Sequence, residues 1–180
     1  METPAFFNQI KPKPMSLTGK PSLTTPSPFT NDGFWFDLDI GQFLNRYRIP
    51  AEYADDTIKW GLTLALVNVN LDLEAVKLAI ISLGHVTAAA YVTAHPADIG
   101  DSDKLIVTYE HAVYAYAKAQ LLQQFNSMNR RADAANAAKE APDTEQYWLD
   151  QSASAVQKLF AQFLPTEFKP ATAGAHVALI

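Results

Sequence analysis

Cysteine is absent from this 180-residue chain, so disulfide frameworks and cysteine-ligated zinc are excluded. Charge is scarce as well. Asp, Glu, Lys and Arg make up 18% of the residues, against about 25% in ordinary soluble domains. With 48% hydrophobic residues beside so few charges, part of the surface is expected to be buried against partners. There is no basic excess. A formal net charge of −5 leaves no global positive field to capture nucleic acid, although a weakly acidic chain can line a DNA passage without gripping it. Long apolar runs are missing too. The nearest, Trp60 to Val69, contains Thr63 and Asn68 and falls well short of the roughly 18 apolar residues that cross a membrane. The opening METPAFFNQIKPKP lacks the apolar core of a signal peptide. No membrane partner is expected, and no internal repeat is evident.

The length suits one domain with a core, plus tails. Residues 1–33 hold six of the eleven prolines, interspersed with Ser, Thr and Lys. This composition predicts an extended arm, with Phe6, Phe7, Ile10, Leu17, Leu23 and Phe29 as anchors on a neighbour. Phe34-Trp35-Phe36 ends the arm and reads as a core staple, because aromatic cages draw their rings from several segments. Asp37 or Asp39 then caps a helix from about Ile40 to Tyr47, with Phe43, Leu44 and Tyr47 inside. Pro50 suits the first turn of the next helix, where Glu52, Asp55 and Asp56 meet the positive end of its dipole. Ile58, Leu62, Ala65, Leu66 and Val69 carry its stripe, and Gly61 allows close approach of another backbone. The pattern resumes from Asp72 to Leu83 and stops at Gly84. One long helix or two nearly collinear ones fit, with Asn68 and Asn70 marking the possible kink. His85 to Ser102 reads as a connection in which Val86 to Val92 is a strand or a helical turn.

Ser102 or Asp103 caps the stretch that organises the rest, Leu105 to Phe125, which has neither Gly nor Pro. At about 100° per residue its apolar side chains fall on every side. Glu110, His111 and Lys118 share one arc, and Val107, Tyr114 and Phe125 intrude on even that. A helix apolar nearly all round is surrounded by protein. One small bundle can hardly surround it, so Val107, Tyr114, Leu121 and Phe125 are expected at a subunit interface. Asn126 to Asp143 is polar and Ala-rich and reads as an exposed loop or a partly helical one. Thr144 and its neighbours open a last helix with Tyr147, Trp148, Ala155, Val156, Leu159, Phe160 and Phe163 on its apolar face, ended by Pro165. The tail closes with Ala175, His176, Val177, Ala178, Leu179 and Ile180, a nearly uncharged segment fit to add a strand to another chain. The predicted fold is mainly α: an antiparallel bundle of about four helices over residues 34–165, between an arm at 1–33 and a C-terminal arm at 166–180.

Catalytic constellations are hard to find. His85, His95, His111 and His176 share no helical turn, and no acid stands at metal-motif spacing. His111 follows Glu110, but adjacent helical residues point apart. There is no GxGxxG, P-loop or GxSxG. Asp55 and Asp56 are more economically helix-dipole acids than a catalytic pair. Arg130, Arg131 and Lys139 are possible contacts to DNA or a partner, although so few charges read first as a solvated loop. No catalytic residue, metal or cofactor is assigned.

A set of landmarks in order resembles a known family. It comprises Phe34-Trp35-Phe36-Asp37-Leu38-Asp39, Arg46 and Arg48 near the end of a short helix, and Ala54 to Gly61 with Ile58-Lys59. Ile99-Gly100-Asp101-Ser102 leads into Val107-Thr108-Tyr109-Glu110-His111-Ala112-Val113. Trp148-Leu149-Asp150 lies in the last helix, and the tail ends on isoleucine. From Phe34 to Ile180 this is similar to the head-completion proteins of phages with contractile tails. The Asn-bearing middle, Val67 to Leu71, departs from the family's more charged helix. The resemblance implies a structural virion protein and not an enzyme: a twelve-fold homo-oligomeric ring beneath the portal protein, facing a neck or tail-terminator protein. DNA would pass through its channel without specific binding. It also implies that Ala175 to Ile180 anchors the ring to the portal, with assembly in the host cytoplasm. Competing readings are a tail-assembly chaperone and, further off, a small helical enzyme or ligand-binding bundle.

Overall fold

The computed structural model describes residues 27–50, 53–128 and 144–164. The architecture is mainly α, as the sequence predicts. Helices α1 (Ile40–Arg46), α2 (Asp55–Asp72), α3 (Glu74–Ser82), α4 (Ala88–Ala94), α5 (Lys104–Met128) and α6 (Glu145–Phe163) follow in chain order. Strands β1 (Pro28–Phe29) and β2 (Leu38–Asp39) pair antiparallel, and so do β3 (Asp98–Ile99) and β4 (Ser102–Asp103).

Local chemistry sets most of the boundaries. The Asp39 carboxylate accepts from Gln42 N at 2.7 Å and starts α1. Thr87 and Thr144 cap α4 and α6 in the same way. Asp103 works in two directions, accepting from Leu105 N at the head of α5 and from Ala97 N before β3, both at 2.7 Å. The segment read as strand or helical turn is therefore helix α4, because Thr87 supplies a cap to an alanine run. Gly100, with φ 59°, makes the turn between β3 and β4. The helix expected from Pro50 begins instead at Asp55, and Tyr53 N donates to Pro50 O ahead of it.

Helix α5 runs antiparallel to both α2 and α6. Gly61 of α2 lies beside Ala117 and Leu121, while Asn70 meets Tyr109. On the other side Trp148 meets Lys118, and the Ser152 hydroxyl donates to Ala112 O at 2.8 Å. The close approach expected at Gly61 is present, with Leu121 side-chain atoms 3.4 Å from where a Cβ would stand. The interruption between α2 and α3 falls at Leu73, not at Asn68 or Asn70. Leu73 is fully buried, and the ladder passes through it, from its own N–H to Val69 O and from Lys77 N to Leu73 O. Asn68 instead donates back to Leu64 O, and Asn70 faces a partner across the core.

Ser27 to Gly33, read from sequence as arm, belong to the folded unit. Phe29 pairs with Leu38 across the β1–β2 ladder. Asn31 then closes a three-membered polar ring. Its Nδ2 donates to the Tyr109 hydroxyl (2.7 Å), that hydroxyl donates to Asn70 Oδ1 (2.7 Å), and Asn70 Nδ2 donates to Asn31 Oδ1 (2.9 Å). Asp32 Oδ1 accepts from the amides of Phe34 and Trp35, which turns the chain inward. Trp35 stacks flat on Tyr109, with centroids 4.9 Å apart and 6° between planes. Phe34 and Trp35 are buried, so the aromatic run is a core staple. Residues 1–26 lie outside the described residues.

Tyr109 has no accessible surface, so its hydroxyl has no water to fall back on. Tyr109→Phe leaves the donor of Asn31 and the acceptor of Asn70 short of a partner. We expect a loss of about 1–3 kcal/mol in urea unfolding with an unchanged m-value. Tyr147→Phe, at an exposed residue, is the control, expected within about 0.5 kcal/mol of the parent. Equal stability of the two variants would contradict the role of the ring.

Candidate assembly surface

The arc of α5 that carries Glu110, His111, Tyr114 and Lys118 is covered by the chain's own α1 and the start of α6. Phe43 stacks on Tyr114 at 5.3 Å between centroids. The Tyr114 hydroxyl accepts from Asp39 N and donates to Asp39 O, each at 3.0 Å. Arg46 Nη1 reaches Glu110 Oε2 at 3.0 Å. The Tyr47 hydroxyl and His111 Nδ1 are 2.6 Å apart. Tyr47 also packs on Trp148, and Lys118 Nζ sits 4.1 Å from the Trp148 ring centroid. An aromatic layer with polar tips thus seals α5 against α1.

The electrostatics of this layer are those of a packing device. Burial pushes the Tyr114 hydroxyl up to about 12 and raises Tyr47 and Tyr109 further, so all three keep their protons. Burial also raises the Glu110 carboxyl, an effect that Arg46 partly offsets. It lowers the His111 imidazole, with Lys158 adding to the effect and the Gln151 hydrogen bond opposing it. On the far side of α5, burial raises Asp32, but the amides of Trp35 and Phe34 together with Lys77 outweigh it and leave the carboxyl below its ordinary value. Each of these polar groups is engaged in the fold itself.

The clefts among the described residues are shallow and mostly apolar. One is lined by Arg48, Ile49, Pro50, Tyr53, Lys118 and Leu121; a second lies between Ser27, Ile40, Gly41, Leu44 and the first turn of α2. Among the described residues no three His, Asp or Glu side chains are placed to hold a metal. Tyr91 stacks on His95 near the surface, His85 meets both rings edge-on, and Phe163 packs edge-on against Tyr91. No helix among them is long and apolar enough to cross a membrane.

The residues expected at a subunit interface separate. Tyr114 and Leu121 are each 1% exposed and buried by this chain alone. Their apolar character therefore does not call for a neighbour, which corrects the inference drawn from α5. The reason is non-local: α1 folds over the arc, and its tie through Asp39 leaves no signal within the sequence of α5. Val107 is 43% exposed and remains available. The Phe125 side chain, Arg130, Arg131, Lys139 and Ala175 to Ile180 lie outside the described residues. The large exposed apolar residues cluster elsewhere, on α2 and α3: Trp60, Val67, Leu71, Leu78 and Ile81. The signal for them was present as a second set of three- and four-residue spacings, on the side opposite the buried stripe.

The described residues thus combine a mainly helical core, buried tyrosines tied into the fold, and a stripe of exposed apolar side chains on α2 and α3. Comparison with known proteins gives the family. The family model for phage head completion protein (GPL) matches residues 29–163. The chain belongs to that family, and a structural role in the phage head follows. It is similar to the "Probable head completion/stabilization protein" of Haemophilus phage HP1 (strain HP1c1), at 32% identity over 107 residues, which is 57% of this chain and 66% of the relative. The chain therefore spans just under two thirds of the relative's length. No solved structure matches significantly.

The His111 site yields a pH prediction. Its folded-state value lies below the ordinary 6.5, so the unfolded chain takes up the proton first. The His111 contribution is therefore complete above about pH 7 and declines as pH falls through about 6.5. Glu110, raised in the folded state, acts in the opposite sense at lower pH. Thermal melts should show a steeper loss from about pH 7 to about pH 5.5 in the parent than in His111→Gln. Identical slopes would contradict the assignment.

Proposed function

We propose that this chain completes the phage head as a head-to-tail connector. Copies form a ring beneath the portal, close the DNA-filled head and present a surface to the neck or tail. The observation that carries this reading is the family match, which runs through nearly all of the described residues. The physical features are compatible with it. A ring of identical subunits needs side-to-side contact surface, and Val107 together with the α2–α3 face offers apolar area for it. A net charge of −5 suits a channel that passes DNA without holding it. In this reading Ala175 to Ile180 add a strand to the portal protein, and Phe125 lies near subunit contacts. Arg130, Arg131 and Lys139 contribute at most weak contacts to DNA or a partner. No cofactor takes part, and the chain acts as a structural element of the virion and not as an enzyme.

The test uses DNA-filled heads made without this protein. Purified full-length protein should bind them at the portal vertex in about twelve copies, the number set by a cyclic ring on the portal, and restore tail joining. Removal of Ala175 to Ile180 should abolish binding while leaving the circular dichroism spectrum unchanged. A single copy per head, or binding at sites spread over the capsid, would overturn the ring. Absence from mature particles would move the chain to a transient role such as a tail-assembly chaperone. Full attachment of the shortened chain would show that the tail is not the anchor.

A further inference from the structure

Helices α2 and α3 carry two apolar stripes on opposite sides. One consists of Ile58, Leu62, Ala65, Val69, Leu73, Val76 and Ile80, all buried against the rest of the chain. The other consists of Trp60, Leu64, Val67, Leu71, Leu78 and Ile81. Its spacing alternates four and three residues from position 60 to 81, with Glu74 the single polar member. On α2 its members fall within about 60° of arc. Leu64 is half-buried, while Trp60 is 57% exposed, Val67 52%, Leu71 69%, Leu78 57% and Ile81 45%. Alternate four- and three-residue spacing is that of a seam between two helices.

The area and the chemistry of the seam point to its occupant. At ordinary side-chain sizes the five exposed members present roughly 500 Å², compared with about 800 Å² per partner, rim included, in a standard interface. Of the flanking positions, Thr63, Asn68, Asn70, Ala75 and Ser82 are uncharged and Lys77 is paired with Asp32 of its own chain, so no run of like charge borders the seam. Among the described residues the large exposed apolar side chains outside α2 and α3, namely Leu83, Val86, Ile99, Val107 and Tyr147, form no second helical stripe. The helical seam that another copy of this chain offers is therefore the same one. We infer that two copies pair isologously, with α2–α3 antiparallel to α2–α3. Glu74 disfavours the register that sets it against itself. A register that pairs six of the seven seam positions sets Val67 against Leu71 of the partner subunit, Trp60 against Leu78 of the partner subunit, and Leu64 against Glu74 of the partner subunit. A cyclic ring is built from heterologous contacts, so this isologous pair is a property of the free protein, and the α2–α3 face has to leave it before it can serve a ring.

The experiment is sedimentation of the full-length protein over a range of concentrations, without portal or heads. The expected result is a reversible dimer. Leu71→Lys and Val67→Glu, both at exposed positions, should each weaken it at least about tenfold by setting a charge in the seam, with unchanged circular dichroism. An equimolar mixture of the two variants should re-form a dimer. The introduced ammonium of one chain then meets the introduced carboxylate of the other, while the second contact stays Val67 with Leu71. A parent protein that remains monomeric would overturn the pair and leave the seam to another occupant, such as residues 1–26. A dimer indifferent to both substitutions, or a mixture that stays monomeric, would also overturn it. A portal-bound ring that persists in Leu71→Lys would leave the connector reading standing.

Discussion

A helix that is apolar on every side must be covered on every side, and the rest of this structure is arranged to cover α5. Antiparallel α2 and α6 supply two walls, with Gly61 allowing the first to come close. The remaining arcs are closed by the short elements. Residues Asn31 to Phe36 lie over Tyr109, and α1 lies over Tyr114. Both closures use a tyrosine, whose ring packs against apolar neighbours while the hydroxyl finds a polar tie at the edge of the core. Tyr109 ties to Asn31 and Asn70, and Tyr114 to both backbone groups of Asp39. Covering α5 from within the chain consumes apolar surface that its sequence alone makes look available to a neighbour.

What the sequence reveals well is what depends on adjacent residues. The caps at Asp39 and Asp103 are legible because an acid just before an apolar-periodic run has a local task. The packing role of Phe34 and Trp35 is legible because three consecutive aromatics have few other uses. What it conceals depends on distant partners. Asn31 reads as linker until Tyr109 and Asn70, 78 and 39 residues away, accept it into their ring. Asn68 and Asn70 look like the flaw in the long helix. Each has a hydrogen-bond partner, however, and the interruption falls on Leu73, a residue with no polar group to advertise it. The interface residues at Tyr114 and Leu121 were misplaced for the same reason. The excess of apolar residues was real, but it belongs to the outer face of α2 and α3.

This relocation matters for assembly. The proposed connector would have to keep one fold while free, and to bring apolar surface to its partners when it joins a head. With the polar groups of α5 tied inside the subunit, the core is covered by the chain's own elements, and the exposed apolar stripe lies on a helical face. Rigid apolar surface of this kind loses little conformational entropy on association, which favours specific contacts over adhesive ones.

The most direct measurement of this account is hydrogen exchange of the full-length protein at high dilution, followed amide by amide along Lys104 to Gln124. If the subunit covers α5 by itself, these amides exchange only through global unfolding, and their protection is the same at every protein concentration. Fast exchange along α5 in dilute solution, slowing only as copies associate, would show that neighbours complete the core and would contradict the account.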